Sequence, residues 1–163
     1  MSITPENIKA KAASKKNENK KFFQRLRKRP PKDLDDQMQG LHEEVFADTD
    51  CLTCANCCKT TSPIFTDKDV DRIAKRFKLK AREFSDRYLK IDEDGDQVLK
   101  SSPCSFLQDD NKCMIYDIRP KACAEYPHTD RKRFHQITQL TLKNLSICPA
   151  AFKIVEKLKE VNK

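Results

Sequence analysis

Cysteines are the residues of this sequence whose type and spacing could carry chemistry, because four of them fall within eight positions. Cys51, Cys54, Cys57 and Cys58 form this dense group, and the others follow singly as Cys104, Cys113, Cys123 and Cys148. Packing as small apolar side chains suits scattered cysteines, but not a dense group beside Thr, Asn and Lys. Thiolates two residues apart can converge on one ion or cluster as the chain turns around it. We therefore predict that all eight cysteines bind metal.

The spacing leaves two metals open, iron in an iron–sulfur cluster and Zn²⁺. A Cys51-x2-Cys54-x2-Cys57 run with a distant Cys148-Pro149 is typical of iron–sulfur ligation. Structural zinc sites more often use two pairs of ligands that a loop separates. We favour the iron–sulfur cluster and keep Zn²⁺ as the alternative.

Eight thiolates divide naturally into two sets of four. Adjacent side chains usually point in different directions, so we expect Cys57 and Cys58 to serve different centres. The first set is then Cys51, Cys54, Cys57 and Cys148. The second set, which has no diagnostic spacing and could hold zinc, is Cys58, Cys104, Cys113 and Cys123.

The elements that must position these cysteines are predicted to be mainly helices. We expect helices over 4–28, 32–46, 81–89 and 118–126, one capped by Thr66 with Asp69 as its capping-box partner, and one opened by Pro149. Tight turns at Asp94-Gly95 and Asp109-Asp110-Asn111 predict two short hairpins. The fold class is therefore α+β and mainly helical, with a basic helical extension over 1–47 and a metal-stapled cysteine-cluster domain over 48–163.

The composition agrees with a small domain that needs a staple. Of the 163 residues, 37% are hydrophobic and 36% are charged, which is a thin supply of core for this length. Small cores of this kind are usually stabilised by a metal or by disulfides.

The chain shows no apolar leader at its N-terminus and no apolar run long enough for a membrane span. We therefore expect a cytoplasmic protein. Thiols stay reduced in the cytosol, so the cysteine pattern favours metal over disulfides.

The basic charge is concentrated at the N-terminus. Residues 1–32 contain 11 Lys and Arg against 2 Asp and Glu, whereas the whole chain carries a net charge of +8. Phe22 and Phe23 lie among these basic residues and make an interaction more attractive. We predict that residues 1–32 bind RNA or, as the second choice, an acidic protein surface.

The segment Cys51-Leu-Thr-Cys54-Ala-Asn-Cys57-Cys58 resembles the signature of the CxxCxxCC family of zinc- or iron-chelating domains. The downstream residues Pro103-Cys104, Cys113, Arg119-Pro120, Cys123, Tyr126-Pro127 and Cys148-Pro149 agree with it. The resemblance spans about residues 48–152 and implies metal binding through the cysteines. Similar cysteine motifs occur in flagellin lysine methylases, so the resemblance also leaves an enzyme possible.

Arg119, in the Arg-Pro turn before Cys123, is the charged residue that we single out. Its guanidinium could donate hydrogen bonds to sulfurs of the cluster or to a carboxylate that fixes the turn.

We thus predict a metal-binding protein that acts in redox chemistry, metal handling or assembly. A methyltransferase- or maturase-like enzyme and a zinc-stapled adaptor with a basic arm are the alternatives.

Overall fold

The computed structural model describes residues 2–163, which form a mainly helical α+β fold with one small antiparallel sheet, as predicted. The α-helices in this range are α1 (Ile8–Ser14), α2 (Lys16–Lys28), α3 (Leu34–Ala47), α4 (Cys51–Cys54), α5 (Asn56–Thr60), α6 (Asp67–Arg76), α7 (Ala81–Tyr88), α8 (Lys121–Glu125), α9 (Thr138–Asn144) and α10 (Pro149–Val161). The strands are β1 (Ile64–Phe65), β2 (Leu89–Ile91) and β3 (Gln97–Leu99). Short 3₁₀ helices span Tyr116–Ile118 and Phe134–Ile137.

The chain divides into two compact units. The helical unit contains residues 2–50 and Pro127–Lys163, and the cysteine unit is Cys51–Tyr126. α10 therefore packs in the helical unit, where it lies against α3. The sequence-based division at residue 47 stays a prediction.

The core of the helical unit is built largely from α2, α3 and α10. Phe23 of α2, Met38 of α3 and Ile154 of α10 are at most 1% exposed. The predicted helix over 4–28 is two helices, which meet at Lys15. Because α2 buries Phe22, Phe23 and Leu26, the basic segment is an integral part of this core.

A long-range contact ties α3 to the segment that precedes α9. The carboxylate of Asp35 accepts hydrogen bonds from the backbone N–H groups of Arg133 (2.7 Å) and Phe134 (3.0 Å). These two N–H groups lie at the start of the second 3₁₀ helix, where no intrahelical acceptor exists for them. Asp35 therefore caps an element that is distant in sequence.

The cysteine unit contains the predicted capping box at the start of α6. The Thr66 hydroxyl accepts from the Asp69 N–H (3.1 Å), and the Asp69 carboxylate accepts from the Thr66 N–H (2.9 Å). The helix then buries Val70, Ile73 and Ala74 against a cluster of aromatic rings from β1, the end of α6, α7 and the loop after β3. The rings in this cluster are Phe65, Phe77, Phe84, Tyr88 and Phe106.

The sheet has the strand order β1-β3-β2, and both pairings are antiparallel. The predicted hairpin at Asp94-Gly95 is confirmed, and Gly95 has a φ of 83°, which glycine adopts without strain. β1 is a strand that the sequence analysis missed. The second predicted hairpin is reduced to one isolated bridge, between Leu107 and Cys113.

Across residues 2–163, every helix is too short or too polar to cross a lipid bilayer.

Candidate metal centre

The dense cysteine group lies on two consecutive short helices. Cys51 and Cys54 are the first and last residues of α4, and Cys57 and Cys58 lie on α5. Ala55 joins the helices in the left-handed conformation (φ 46°) and is buried. The turn at Ala55 lets four thiols follow one another within two helical turns. Cys51 is exposed, and the other three are partly buried.

The adjacent thiols of Cys57 and Cys58 interact directly. A hydrogen bond from the Cys57 side chain is the largest cause that lowers the pKa of Cys58 to about 7. Burial opposes this shift, and the positive charge of Arg119 reinforces it. The expectation that these two side chains serve different centres stays a prediction.

Cys104 and Cys113 reach the group from the loop after β3. The Cys104 N–H donates to the Cys58 carbonyl oxygen at 2.8 Å, which fixes Cys104 beside the middle of α5. The chain turns between Gln108 and Lys112, and Cys113 then pairs with Leu107. The backbones of Cys58 and Cys104, which are 46 positions apart in the sequence, are thus joined by a hydrogen bond.

Cys123 lies on α8, which α6 holds in place. The Asp69 carboxylate accepts from the Lys121 N–H (3.1 Å) and from the Arg72 guanidinium (2.8 Å). Arg72 also donates to the carbonyl oxygen of Arg119 (2.7 Å). Asp69 is 3% exposed, and these bonds hold its pKa below the ordinary value although burial acts in the opposite direction. One buried carboxylate therefore caps α6 and anchors the turn that carries Cys123.

Sequence reasoning found the capping role of Asp69 but missed its contact with α8. The local pattern signals the cap, because Thr66 and Asp69 are three residues apart. Lys121 is 52 residues further on, and no sequence pattern marks that pairing.

The thiols of Cys58, Cys104, Cys113 and Cys123 form one electrostatic group. Burial raises the pKa of Cys104 and Cys113, and it raises that of Cys123 to about 12. The negative charge of Cys58 raises all three further, so these side chains lie within range of one another. These four cysteines make up the second predicted set, and their assignment to one metal centre stays a prediction.

Arg119 lies beside the same group. Its guanidinium carbon lies 3.9 Å from the centroid of the Tyr116 ring. Its Nε is buried, and no acceptor for it exists among residues 2–163. The positive charge of Arg119 lowers the pKa of Cys58, Cys113 and Cys123. The predicted pairing with a carboxylate is absent from the described residues, so Arg119 does not fix the turn in that way.

Cys148 lies in the helical unit, where it caps α10. Its sulfur accepts from the Ala151 N–H at 3.4 Å, and Pro149 is the first helical residue, as predicted. Its grouping with Cys51, Cys54 and Cys57 stays a prediction.

The residues present fit a thiophilic metal ion or cluster. Within residues 2–163 all eight cysteines are thiols, although no three His, Cys, Asp or Glu side chains are already arranged around one metal position. Four thiols share a partly buried region in which only one ionises near neutral pH. A cation relieves the repulsion among the corresponding thiolates. The unpartnered Nε of Arg119 adds a donor that suits an anionic sulfur centre.

Comparison with known proteins gives a family match over the cysteine region. The model of the family named CxxCxxCC, described as "Putative zinc- or iron-chelating domain", matches residues 50–148. A protein of Methanocaldococcus jannaschii, named "Uncharacterized protein MJ0661", is 32% identical over 91 residues. The match covers 54% of this chain and 49% of that protein, so the chain spans about half the length of its curated relative. No solved structure matches.

Proposed function

Because the chain belongs to the CxxCxxCC family of zinc- or iron-chelating domains, we propose that its cysteines hold an iron–sulfur cluster, with Zn²⁺ as the alternative. The observation that carries this proposal is the joining of distant cysteine segments in the folded chain, where the Cys104 N–H donates to the Cys58 carbonyl oxygen at 2.8 Å and the Asp69 carboxylate anchors the turn before Cys123. Burial and, after it, the negative charge of Cys58 raise the pKa of Cys104, Cys113 and Cys123. Metal binding would release their protons and convert the repulsion into attraction.

Iron–sulfur is favoured over zinc by the cysteine run on α4 and α5. This run has three thiols separated by two residues each, and a distant Cys-Pro follows it. That pattern is typical of iron–sulfur ligation, whereas zinc sites more often use two pairs of ligands. A cluster brings its own sulfides, which supply additional acceptors for a buried donor such as Arg119. When bound, such a centre supplies one-electron chemistry, and zinc would supply structural stability.

The role that we propose is redox chemistry, metal handling or assembly in the cytoplasm. The reduced state of all eight cysteines suits that compartment, where thiols are kept available for metal.

The experiment is metal and sulfide analysis of protein purified without oxygen, together with its visible absorption spectrum. We expect iron and acid-labile sulfide in similar amounts and absorption from sulfur-to-iron charge transfer. Zinc without visible absorption supports the alternative, and protein without either metal contradicts the proposal.

A matched pair of variants tests whether the cysteine unit is responsible. Cys123→Ser should lose most of the metal, since the hydroxyl is a poor ligand for a thiophilic ion. Ala124→Ser adds a hydroxyl at an exposed position of the same helix and should retain it.

A second candidate function concerns the exposed face of α2. Five basic residues of this helix are exposed, and within residues 2–163 none of them forms an ion pair with a carboxylate. They are Lys20, Lys21, Arg25, Arg27 and Lys28. Gln24, Arg27 and Lys28 line a depression on this face. Phe22 and Phe23, which the sequence suggested as contributors, are at most 5% exposed and cannot stack on bases. We propose that this basic face binds RNA through its phosphates, with an acidic protein surface as the second choice.

The test uses substitutions on the exposed face, because a deletion of residues 1–32 would remove core side chains. The triple change Lys21→Gln, Arg27→Gln and Lys28→Gln should weaken binding to a single-stranded RNA of mixed sequence. It should also reduce the slope of log affinity against log salt by about 2, since each phosphate contact contributes about 0.7.

The control triple is Lys68→Gln, Lys75→Gln and Lys90→Gln, which removes the same charge from exposed positions of the cysteine unit. If both triple variants lose the same RNA affinity, the effect comes from net charge, and this result contradicts a binding site on α2. No RNA binding by the unmodified protein at low salt would leave the acidic protein as the partner to test.

A further inference from the structure

Arg119 lies at a main-chain position that is fixed from α6. Arg72 donates to the carbonyl oxygens of Ile118 (3.2 Å) and Arg119 (2.7 Å), and it pairs with the buried Asp69 (2.8 Å). Asp69 in turn accepts from the Lys121 N–H. The backbone is therefore held on both sides of Arg119, and its side chain starts from a defined point.

The guanidinium of Arg119 is also held. It lies over the Tyr116 ring, with 3.9 Å between its central carbon and the ring centroid. A guanidinium in this arrangement keeps its N–H groups available for other acceptors. The Nε is buried, and the described residues offer it no acceptor. Buried N–H groups nearly always have a partner, so this donor requires an explanation.

The two neighbouring arginines show that this region can pair guanidinium groups with carboxylates. Arg72 pairs with Asp69, and Arg76 pairs with Asp117 at 3.2 Å. Arg119 differs from both, because no carboxylate among the described residues pairs with it. Its turn leads directly into α8, which carries Cys123. The unused donor therefore belongs to the anchored segment that positions one of the predicted metal ligands.

We propose that the Nε–H of Arg119 donates a hydrogen bond to a metal-bound sulfur, and so tunes the metal centre from outside its ligand set. This inference rests on the proposed function, since the acceptor is formed when the metal binds. A hydrogen bond from a cation to sulfur withdraws negative charge from it, which stabilises an anionic thiolate centre. Arg119 is thus a positioning and tuning residue and is not itself a ligand.

The experiment compares Arg119→Gln with Arg76→Gln, which removes a nearby arginine from an exposed ion pair. Zn²⁺ affinity is measured by competition with a chelator under reducing conditions. We expect Arg119→Gln to bind Zn²⁺ about 10- to 100-fold more weakly, as is typical when an outer hydrogen-bond partner is removed. Arg76→Gln should bind as the unmodified protein does.

Co²⁺ supplies a readout that a merely structural role would not change. Its sulfur-to-metal charge-transfer band should move to lower energy in Arg119→Gln, because a sulfur without the hydrogen bond gives up an electron more easily. Arg119→Lys keeps the charge but not the Nε–H, and it should recover only part of the affinity and of the band position.

The outcomes separate the inference from the function on which it rests. If Arg119→Gln has the same Zn²⁺ affinity and the same Co²⁺ band as Arg76→Gln, the proposed role of Arg119 is overturned. The metal site itself is not affected by that result. Should Arg119→Gln fail to fold, an unchanged Co²⁺ band in Arg119→Lys would overturn that role equally. An unmodified protein that binds neither of these ions and holds no iron–sulfur cluster contradicts the proposed function, and the role of Arg119 with it.

Discussion

Cys58 and Cys123 show how neighbouring thiols come to differ by several orders of magnitude in acidity. The pKa of Cys58 is lowered to about 7, chiefly by the hydrogen bond from Cys57, and that of Cys123 is raised to about 12, chiefly by burial. At neutral pH the group therefore offers one thiolate and several protonated thiols. These residues would hold a metal as thiolates, and binding would release protons from Cys104, Cys113 and Cys123, whose pKa is raised.

Asp35 allows a test at the residue scale that does not involve the cysteines. Its bonds to Arg133 and Phe134 lower its pKa from 3.8, although burial acts in the opposite direction. Asp35→Ala should cost about 1 kcal/mol of unfolding free energy at pH 7, as the loss of a cap usually does. The change is measured by urea unfolding of both proteins.

The pH dependence has a definite sign. A carboxyl group whose pKa is lowered in the folded state stabilises the protein above its ordinary pKa of 3.8. The stabilisation is lost as the pH falls through the lower folded value. Asp36→Ala, an exposed neighbour on the same helix, is the control. If the difference between the two variants stays constant down to pH 2, the carboxylate is not the cause.

At the scale of elements, α2 combines a basic face with an apolar face. Phe23 is 1% exposed, and its ring lies 6.3 Å from that of Phe134 in an edge-on arrangement. Phe23→Ala should lower the unfolding free energy by about 3–5 kcal/mol, because it removes a buried ring and leaves a cavity.

The measurement is thermal or urea unfolding of the helical unit within the full chain. Lys20→Ala, on the exposed face of the same helix, should change stability by less than about 0.5 kcal/mol. Equal and small effects of both substitutions would contradict an integral role of α2 in the core.

The elements also show which parts of the fold a sequence can predict. Local signals marked the cap at Thr66, the turn at Gly95 and the start of α10 at Pro149, because each depends on residues within one turn. β1 has two residues, too few for a pattern, and it forms only because β3 is available for pairing. The break between α1 and α2 at Lys15 has no Pro or Gly to announce it.

The candidate site also has features that a sequence can predict and features that it cannot. The ligands could be named from the spacing of the cysteines. The contact of Cys57 with Cys58, the anchoring of α8 by Asp69 and the unpartnered Nε of Arg119 depend on residues that come together only in the folded chain.

At the scale of the molecule, we expect metal binding and folding to be coupled in the cysteine unit. This unit has strands of two or three residues and a small core, so a metal that binds only the folded state should stabilise it substantially. Chelation under reducing conditions should lower the melting temperature sharply. Hydrogen exchange should speed up within Cys51–Tyr126. An unchanged melting curve after verified metal removal would contradict this coupling.

The central claim is that thiols of the cysteine unit share a metal centre. Residue-resolved alkylation, read by mass spectrometry on protein purified without oxygen, tests it most directly. The account predicts that Cys58, Cys104, Cys113 and Cys123 are protected in the loaded protein. Chelation should expose them together, with Cys58 reacting fastest at neutral pH because of its lowered pKa. Equal alkylation of these four cysteines before and after verified metal removal would contradict the claim.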